Sequence, residues 1–364
     1  MSDNLVAENI ARLKPYHPGK PIEEVQRELG LTDIIKLASN ENPLGPSAKA
    51  VAAIRDAAAK VSIYPEGAAP MLRAAVAERF DIDPDSLVFG NGSDEILHLI
   101  CETFLVPGDE TVQGDPSFAM YEIYATLANA TVVKVPLTDY THDLDKMADA
   151  VTDKTRVVFI ANPNNPTGTL VTQKQVERLL ERLPERVVLV LDEAYDEYVE
   201  NPDKPNLIPL IKEGRNIVVS RTFSKLYALA GLRVGFGIAP PALAGYMNRA
   251  RSPFNVNLVA QAAAVAAWGD ADHVRESVAT NAAGKRQIYD ALEKARIGYV
   301  PSEANFVLID VARDSREVFD SLLKRGVIVR AGYGLGLPNH IRVTIGSQSQ
   351  NERFLGELLA VLKS

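Results

Sequence analysis

Through the middle of the chain, short, almost unbroken apolar runs alternate with stretches that are apolar on one side only. The runs "SLVFG" (86–90), "RVVFIANP" (156–163), "RVVLVLDEAY" (186–195), "NIVVSRT" (216–222) and "LRVGFGIA" (232–239) read as strands. Their Val and Ile content and near-continuous apolarity predict a sheet covered on both faces. Between them, "SDEILHLICETFL" (93–105) and "TQKQVERLLERL" (172–183) repeat apolar residues every three or four positions, the period of a helix with one buried stripe. This alternation predicts an α/β fold with a mostly parallel, doubly wound sheet.

The pattern changes toward the C-terminus. Residues 270–296 read as one long charged helix. Short strands follow near 304–310, 327–330 and 340–345, with a helix near 315–325 and a closing helix at 351–362. These elements suit a smaller α+β domain. The expected division is a large domain at 46–260, a small domain at 261–364, and an N-terminal segment, 1–45, packed with the small domain. No internal repeat or Gly/Ser linker interrupts the chain.

Composition narrows the function. With 364 residues there is room for two lobes around large cores. The net charge is −8, and no Lys/Arg run appears, so a nucleic-acid partner is not expected. The one cysteine, Cys101, rules out an intrachain disulfide and suits a reducing compartment. The first twenty residues lack the apolar centre of a signal peptide, and no apolar run approaches the roughly 20 residues of a membrane span. A cytoplasmic protein without a membrane partner is expected. None of the five histidines pairs at metal-ligand spacing, so no metal is expected.

Open α/β sheets bind ligands at the carboxyl ends of their strands, so the segments that follow the predicted strands are informative. These are "GNGSDE" (90–95), "NPNNPTG" (162–168), "DEAY" (192–195) and "RTFSK" (221–225). "GNGSDE" opens a helix, whose N-terminal N–H groups can hold a phosphate; capping by Ser93 is the plainer account. It completes neither a P-loop nor a dinucleotide fingerprint. "NPNNPTG" alone is turn chemistry. Asp192 ends a strongly apolar strand, where an acid needs a cationic partner, either a ligand atom or a structural arginine. Tyr195 would line the same place or simply pack. Lys225 is either a surface lysine or an amine withdrawn from water, which makes it a nucleophile toward carbonyl carbons. Thr222, Ser224 and Arg233 lie near it as partners for an anion.

Taken together, an acid, an amide, a phenol, an amine and a phosphate cup on one rim describe a site for pyridoxal 5'-phosphate. The chain also resembles the fold type I pyridoxal-phosphate aminotransferases, and among them the bacterial histidinol-phosphate aminotransferases. The resemblance rests on "LKPYHPGKPIEE", "LASNENPLGPS", "YP" (64–65), "GNGSDE", "NPNNPTG", "DEAYDEY", "RTFSKLYALAGLRVGF" and "IRVTIG" in that order. It implies that Lys225 bonds the cofactor aldehyde and then shuttles protons. Asp192 would pair with the pyridine nitrogen, and Asn165 and Tyr195 with the ring oxygen. Gly92, Ser93, Asp94, Ser224 and Arg233 would surround the phosphate, with Thr222 also among the cofactor-binding residues, and Phe118 would stack on the ring where many members carry Tyr. Tyr64 would reach the phosphate of a neighbouring subunit, making the active unit a homodimer. Arg330 and Arg342 would hold the substrate's anionic end, with Tyr16 and Asn40 on the substrate side. The substrates implied are histidinol phosphate with 2-oxoglutarate, or glutamate in reverse. An aromatic amino-acid aminotransferase, a decarboxylase of phosphorylated amino acids, and a nucleotide-binding or structural α/β protein are the competing expectations.

Overall fold

In the computed structural model, which describes residues 5–13, 15 and 19–363, the apolar runs divide between two faces of one sheet. Val157, Phe159, Ala161, Val188, Val190 and Val218 share one buried cluster. Val158, Ile160, Leu189, Leu191, Ile217 and Val219 belong to another. Successive strand residues point to opposite faces, so a run with no polar positions is the signature of a sheet buried twice. Each such side chain taken from water contributes about 1.5–3 kcal/mol, which is why these strands form the centre.

The sheet has seven strands. From edge to edge they are Leu87–Gly90, Gly235–Ile238, Ile217–Thr222, Val188–Asp192, Thr155–Ala161, Glu110–Asp115 and Thr131–Pro136. Only Gly235–Ile238 runs antiparallel to its neighbours. The α/β class and the mostly parallel sheet are as expected. Two strands escaped the apolar pattern. "ETVQGD" buries polar Thr111 and Gln113, and "TVVKVP" is an edge strand with a single buried position, Val135. The last predicted strand of this sheet is shorter than 232–239 because Ala230–Leu232 forms a 3-10 turn and Arg233 takes φ +56°.

A second sheet has the order Arg330–Ala331, His340–Thr344, Phe306–Asp310, Tyr299–Val300. The run expected as one strand at 327–330 splits between two sheets. Val327–Ile328 pairs in parallel with Ile35–Lys36, and Arg330–Ala331 pairs antiparallel with His340–Thr344. Leu37 joins the core around this second sheet, with Val307, Ile341 and Phe354. The helix Ala271–Ala295 touches both cores. Val274 and Val278 pack against the large one, while Ile288 and Leu292 lie in the small one.

Candidate active site

At the carboxyl edge of the large sheet, two consequences of the strand alternation meet. Asp192 continues the series Val188, Val190, and Thr222 continues Val218, Ser220, so both face the side where the helices Gly92–Phe104 and Ala119–Leu127 pack. Glu193 and Arg221 fall on the opposite face. There Arg221 pairs with Glu193 at 2.6 Å and with Asp196 at 2.8 Å, tying the end of one strand to the end of the next. Burial pushes Glu193 up to about 7, against the pull of Arg221.

One cavity gathers Asn40, Ser93, Asp94, Phe118, Asn165, Asp192, Tyr195, Thr222, Ser224, Lys225, Arg233, Arg330 and Arg342. Gly92 borders it at the start of the helix. That glycine has φ +76°, and a Cβ there would lie 2.5 Å from Arg233 Nη2. Arg233 Nη1 donates to Ser224 Oγ at 3.3 Å, and Nη2 to the Asn91 carbonyl at 3.3 Å. A guanidinium therefore sits against the first turn of a helix, whose leading N–H groups have no intrahelical acceptor. Gly235 keeps the turn close to the sheet, since a Cβ on it would stand 2.4 Å from the Ser93 nitrogen. Ser93 is not the cap. Asn91 holds that position, and Glu95 accepts the Asn91 N–H while Asn255 Nδ2 donates to Glu95 at 2.8 Å.

Asp192 is buried, and its two oxygens differ. Oδ2 accepts from the Tyr121 hydroxyl at 2.8 Å, while Oδ1 has no partner. Burial pushes its carboxyl up to about 6, with the Tyr121 bond and the Ala194 N–H pulling the other way. A buried carboxylate oxygen without a donor costs several kcal/mol, so this atom is suited to a cationic donor from a ligand. Lys225 Nζ donates to the Ser39 carbonyl at 3.1 Å and lies 5.7 Å from the centre of the Tyr195 ring. Burial first, then the charge of Arg342, brings the lysine down to about 8. At pH 7 about a tenth of such amines are neutral, against fewer than one in a thousand for an exposed lysine.

The far end of the cavity is assembled from distant segments. Arg342 donates to the Ala38 carbonyl at 2.8 Å and to Asn165 Oδ1. Arg330 lies directly opposite Arg342 in the antiparallel register. Asn40 holds φ +57°; its Nδ2 donates to the Tyr195 hydroxyl at 2.9 Å and its N–H to Thr344 Oγ1 at 2.9 Å.

Tyr64 is not brought to this cavity. It is 79% exposed and stacks on Phe254 at 4.8 Å, beside Val61 and Ile63, which are also exposed. Tyr16 lies outside the described residues. Sequence reasoning missed Tyr121, although it stands one helical turn past Phe118, and Tyr124, which donates to Asp94 Oδ2 at 2.8 Å. It also missed Glu41 on the cavity wall, paired with Lys36 at 2.7 Å, and the backbone carbonyls of Ala38 and Ser39, which no side-chain pattern reveals. Among the described residues there is no cluster able to hold a metal ion, and no helix is long and apolar enough to cross a membrane.

The model of the aminotransferase class I and II family matches residues 32–358. A histidinol-phosphate aminotransferase of Moorella thermoacetica is 50% identical over 98% of this chain and 92% of its own length. Histidinol-phosphate aminotransferase 2 of Carboxydothermus hydrogenoformans is 49% identical over 99% of both chains. Among solved structures, the histidinol-phosphate aminotransferase of Sinorhizobium meliloti in complex with pyridoxal-5'-phosphate superposes with a TM-score of 0.91. It is 28% identical and covers 98% of this chain and 97% of its own. The Thermus thermophilus aspartate aminotransferase with maleate superposes at 0.85 with 22% identity, over 98% and 99% of the two chains, and shares the fold alone.

Proposed function

The chain belongs to the class I and II aminotransferases, and from that premise we propose that it transfers an amino group between histidinol phosphate and 2-oxoglutarate. The cofactor of this reading is pyridoxal 5'-phosphate. The observation that carries it is the unpartnered Oδ1 of buried Asp192, in one cavity with a lysine brought down to about 8. Half identity over nearly the whole length with proteins that carry this activity in their names supports the choice of substrate.

The residues fit the cofactor by their chemistry. Asp192 Oδ1 offers an acceptor for a ring N–H. The space that a Cβ at Gly92 would fill lies beside Arg233, and suits a phosphate. Bound there, the cofactor supplies an aldehyde for attachment and a ring that accepts electrons. Lys225 would hold the group through that aldehyde, its Nζ replacing the carbonyl oxygen, which leaves as water, and the freed amine would be the base for the proton on the donor's Cα. Asp192 stays ionised and keeps the ring nitrogen protonated. Asn165 and Tyr195 would hold the ring oxygen, Phe118 would cover the ring, and Ser93, Asp94, Thr222, Ser224 and Arg233 would hold the phosphate end.

Histidinol phosphate carries a phosphate and no α-carboxylate, whereas glutamate carries two carboxylates. One pocket must accept both, and a guanidinium fork fits either anion. Arg342, with Arg330 beside it, is assigned that role, and Asn40 and Tyr16 the substrate side. The assembly we propose is a cytoplasmic homodimer in which Tyr64 completes the partner's phosphate site; its exposure outside its own cavity supports this. The division into a large domain at 46–260 and a small domain at 261–364 joined by 1–45 belongs to the same reading.

The test has two arms: incubation with histidinol phosphate and 2-oxoglutarate, and, on separate holoenzyme without substrate, borohydride reduction and peptide mapping. Glutamate should accumulate and the label should fall on Lys225. No glutamate, or label on another lysine, overturns the reading. Mixed Tyr64→Phe and Lys225→Ala subunits should regain activity, because each heterodimer keeps one site with neither lesion. No recovery after proven subunit exchange counts against the shared site.

A further inference from the structure

Tyr121 stands one turn along the helix Ala119–Leu127 from Phe118, and its side chain is wholly buried. Its ring is stacked on Phe159 at 4.8 Å and 4°, and meets Phe118 edge-on at 5.7 Å and 84°. Phe159 sits on the strand beside Val188–Asp192, in register with Val190. The phenol is thus fixed against the same sheet that carries Asp192, with its hydroxyl 2.8 Å from Oδ2. The other carboxylate oxygen has no partner within the chain. A carboxylate held by one oxygen only presents the other in a single orientation.

We propose that Tyr121 is a positioning residue: its hydroxyl holds Asp192 by Oδ2 and so reserves Oδ1 for the ring nitrogen of the cofactor. This rests on the pyridoxal-phosphate reading above. Four groups act on Asp192 besides its burial. Tyr121 comes from the helix Ala119–Leu127, the Ala194 N–H from its own turn, Asp94 from the helix Gly92–Phe104, and Lys225 from beyond the strand Ile217–Thr222. Burial and Asp94 favour the neutral acid; Tyr121, Ala194 and Lys225 favour the carboxylate. Burial, with the Asp192 charge beside it, lifts the Tyr121 phenol well above its usual range, so it remains a donor at every working pH.

Replacing Tyr121 with Phe keeps the ring and removes only the donor. The measurement is equilibrium binding of pyridoxamine 5'-phosphate, which has no aldehyde, to the apoprotein between pH 5 and 8. Wild-type affinity should rise with pH as Asp192 ionises, with a midpoint near the value of about 6 that the carboxyl takes here. Tyr121→Phe should move that midpoint up by about one unit, the scale of a hydrogen bond to a charged group, and so weaken binding at pH 6 about fivefold. Placing 3-fluorotyrosine at position 121, a stronger donor of the same shape, should move it down. Thermal unfolding of both variants reads a packing role separately. A lowered Tm with an unmoved midpoint overturns the proposal, as does unchanged binding. If wild-type apoprotein does not bind the probe at all, the cofactor reading falls and this inference with it.

Discussion

At one end of the cavity, Asp192, Thr222, Ser224 and Lys225 come from the ends of adjacent parallel strands, and Gly92 to Asp94 from the helix that follows a third. At the other end, Arg342 reaches to Ala38 and to Asn165, which lie 304 and 177 residues away along the chain. The first end is held by strand pairing and by packing that is buried on both faces. The second is held by a side chain that bonds a backbone carbonyl and another side chain from distant parts of the chain. Groups fixed on one stiff sheet keep their mutual distances without help from the ligand. Groups drawn from separate segments keep theirs only while those segments stay docked. The cofactor end should therefore respond to substitutions one residue at a time, and the substrate end as a unit.

The largest expected effect is Lys225→Ala. In the proposed function it removes both the covalent anchor and the proton shuttle, and it should lower kcat by at least about 10⁴-fold. Pyridoxamine 5'-phosphate should still bind, because the phosphate cup and Asp192 stay in place. If binding collapses as well, the cofactor end is less independent of Lys225 than strand pairing implies.

Next is Asp192→Asn, which keeps the shape of the side chain but removes the charge that, in the proposed function, holds the ring nitrogen protonated. A loss of about 10²–10³ in kcat is expected, the scale of a removed charge-stabilising group. Near-normal turnover would contradict the electronic role of this residue.

Arg342→Ala should cost about 3 kcal/mol in kcat/KM, the scale of truncating one partner of a buried charged contact. The loss should appear in both half-reactions if, as proposed, both substrates offer an anion to the same guanidinium. It should also free Asn165 Oδ1 and the Ala38 carbonyl, so Asn40→Ala and Arg342→Ala together should cost less than the sum of the two alone. Strict additivity would break the contrast between the two ends. A loss confined to glutamate would mean that the phosphate of the donor is held elsewhere.

The smallest effect is a pH dependence. Lys225 sits below its ordinary value, so its amine loses its proton at lower pH than an exposed lysine does. Attachment of added pyridoxal 5'-phosphate to the apoprotein should speed up as pH rises, with a midpoint near 8 rather than above 10. Absorbance stopped-flow across pH 6 to 10 reads it. A midpoint above 10 would mean the lysine is not withdrawn from water.

The same contrast explains what the bare sequence makes legible. Asp192, Lys225 and Gly92 each lie within a few residues of an apolar strand, so the strand pattern alone brings them to one rim. Tyr121 was not legible, because its helix reads as ordinary packing and its partner is 71 residues away. The strand "ETVQGD" was hidden because its polar Thr111 and Gln113 are buried inside the sheet. At the substrate end, no periodicity marks Asn40 or Arg342, and both came from motif resemblance. Their geometry depends on the return of the chain's last strand to the segment near residue 38, which local pattern cannot carry. The split of 327–330 between two sheets has the same origin, since neighbouring residues there answer to different partners.

In the proposed function, the Arg330–Arg342 end of the cavity holds the phosphate of histidinol phosphate. Steady-state kcat/KM for histidinol phosphate, phenylalanine and tyrosine, each with 2-oxoglutarate and the same purified holoenzyme, tests it most directly. Histidinol phosphate should be preferred, and Arg342→Ala should narrow the gap to the aromatic donors, because a phosphate dianion loses more with the guanidinium than a carboxylate does. Phenylalanine or tyrosine outperforming histidinol phosphate under those conditions would contradict this role and point to an aromatic amino-acid aminotransferase.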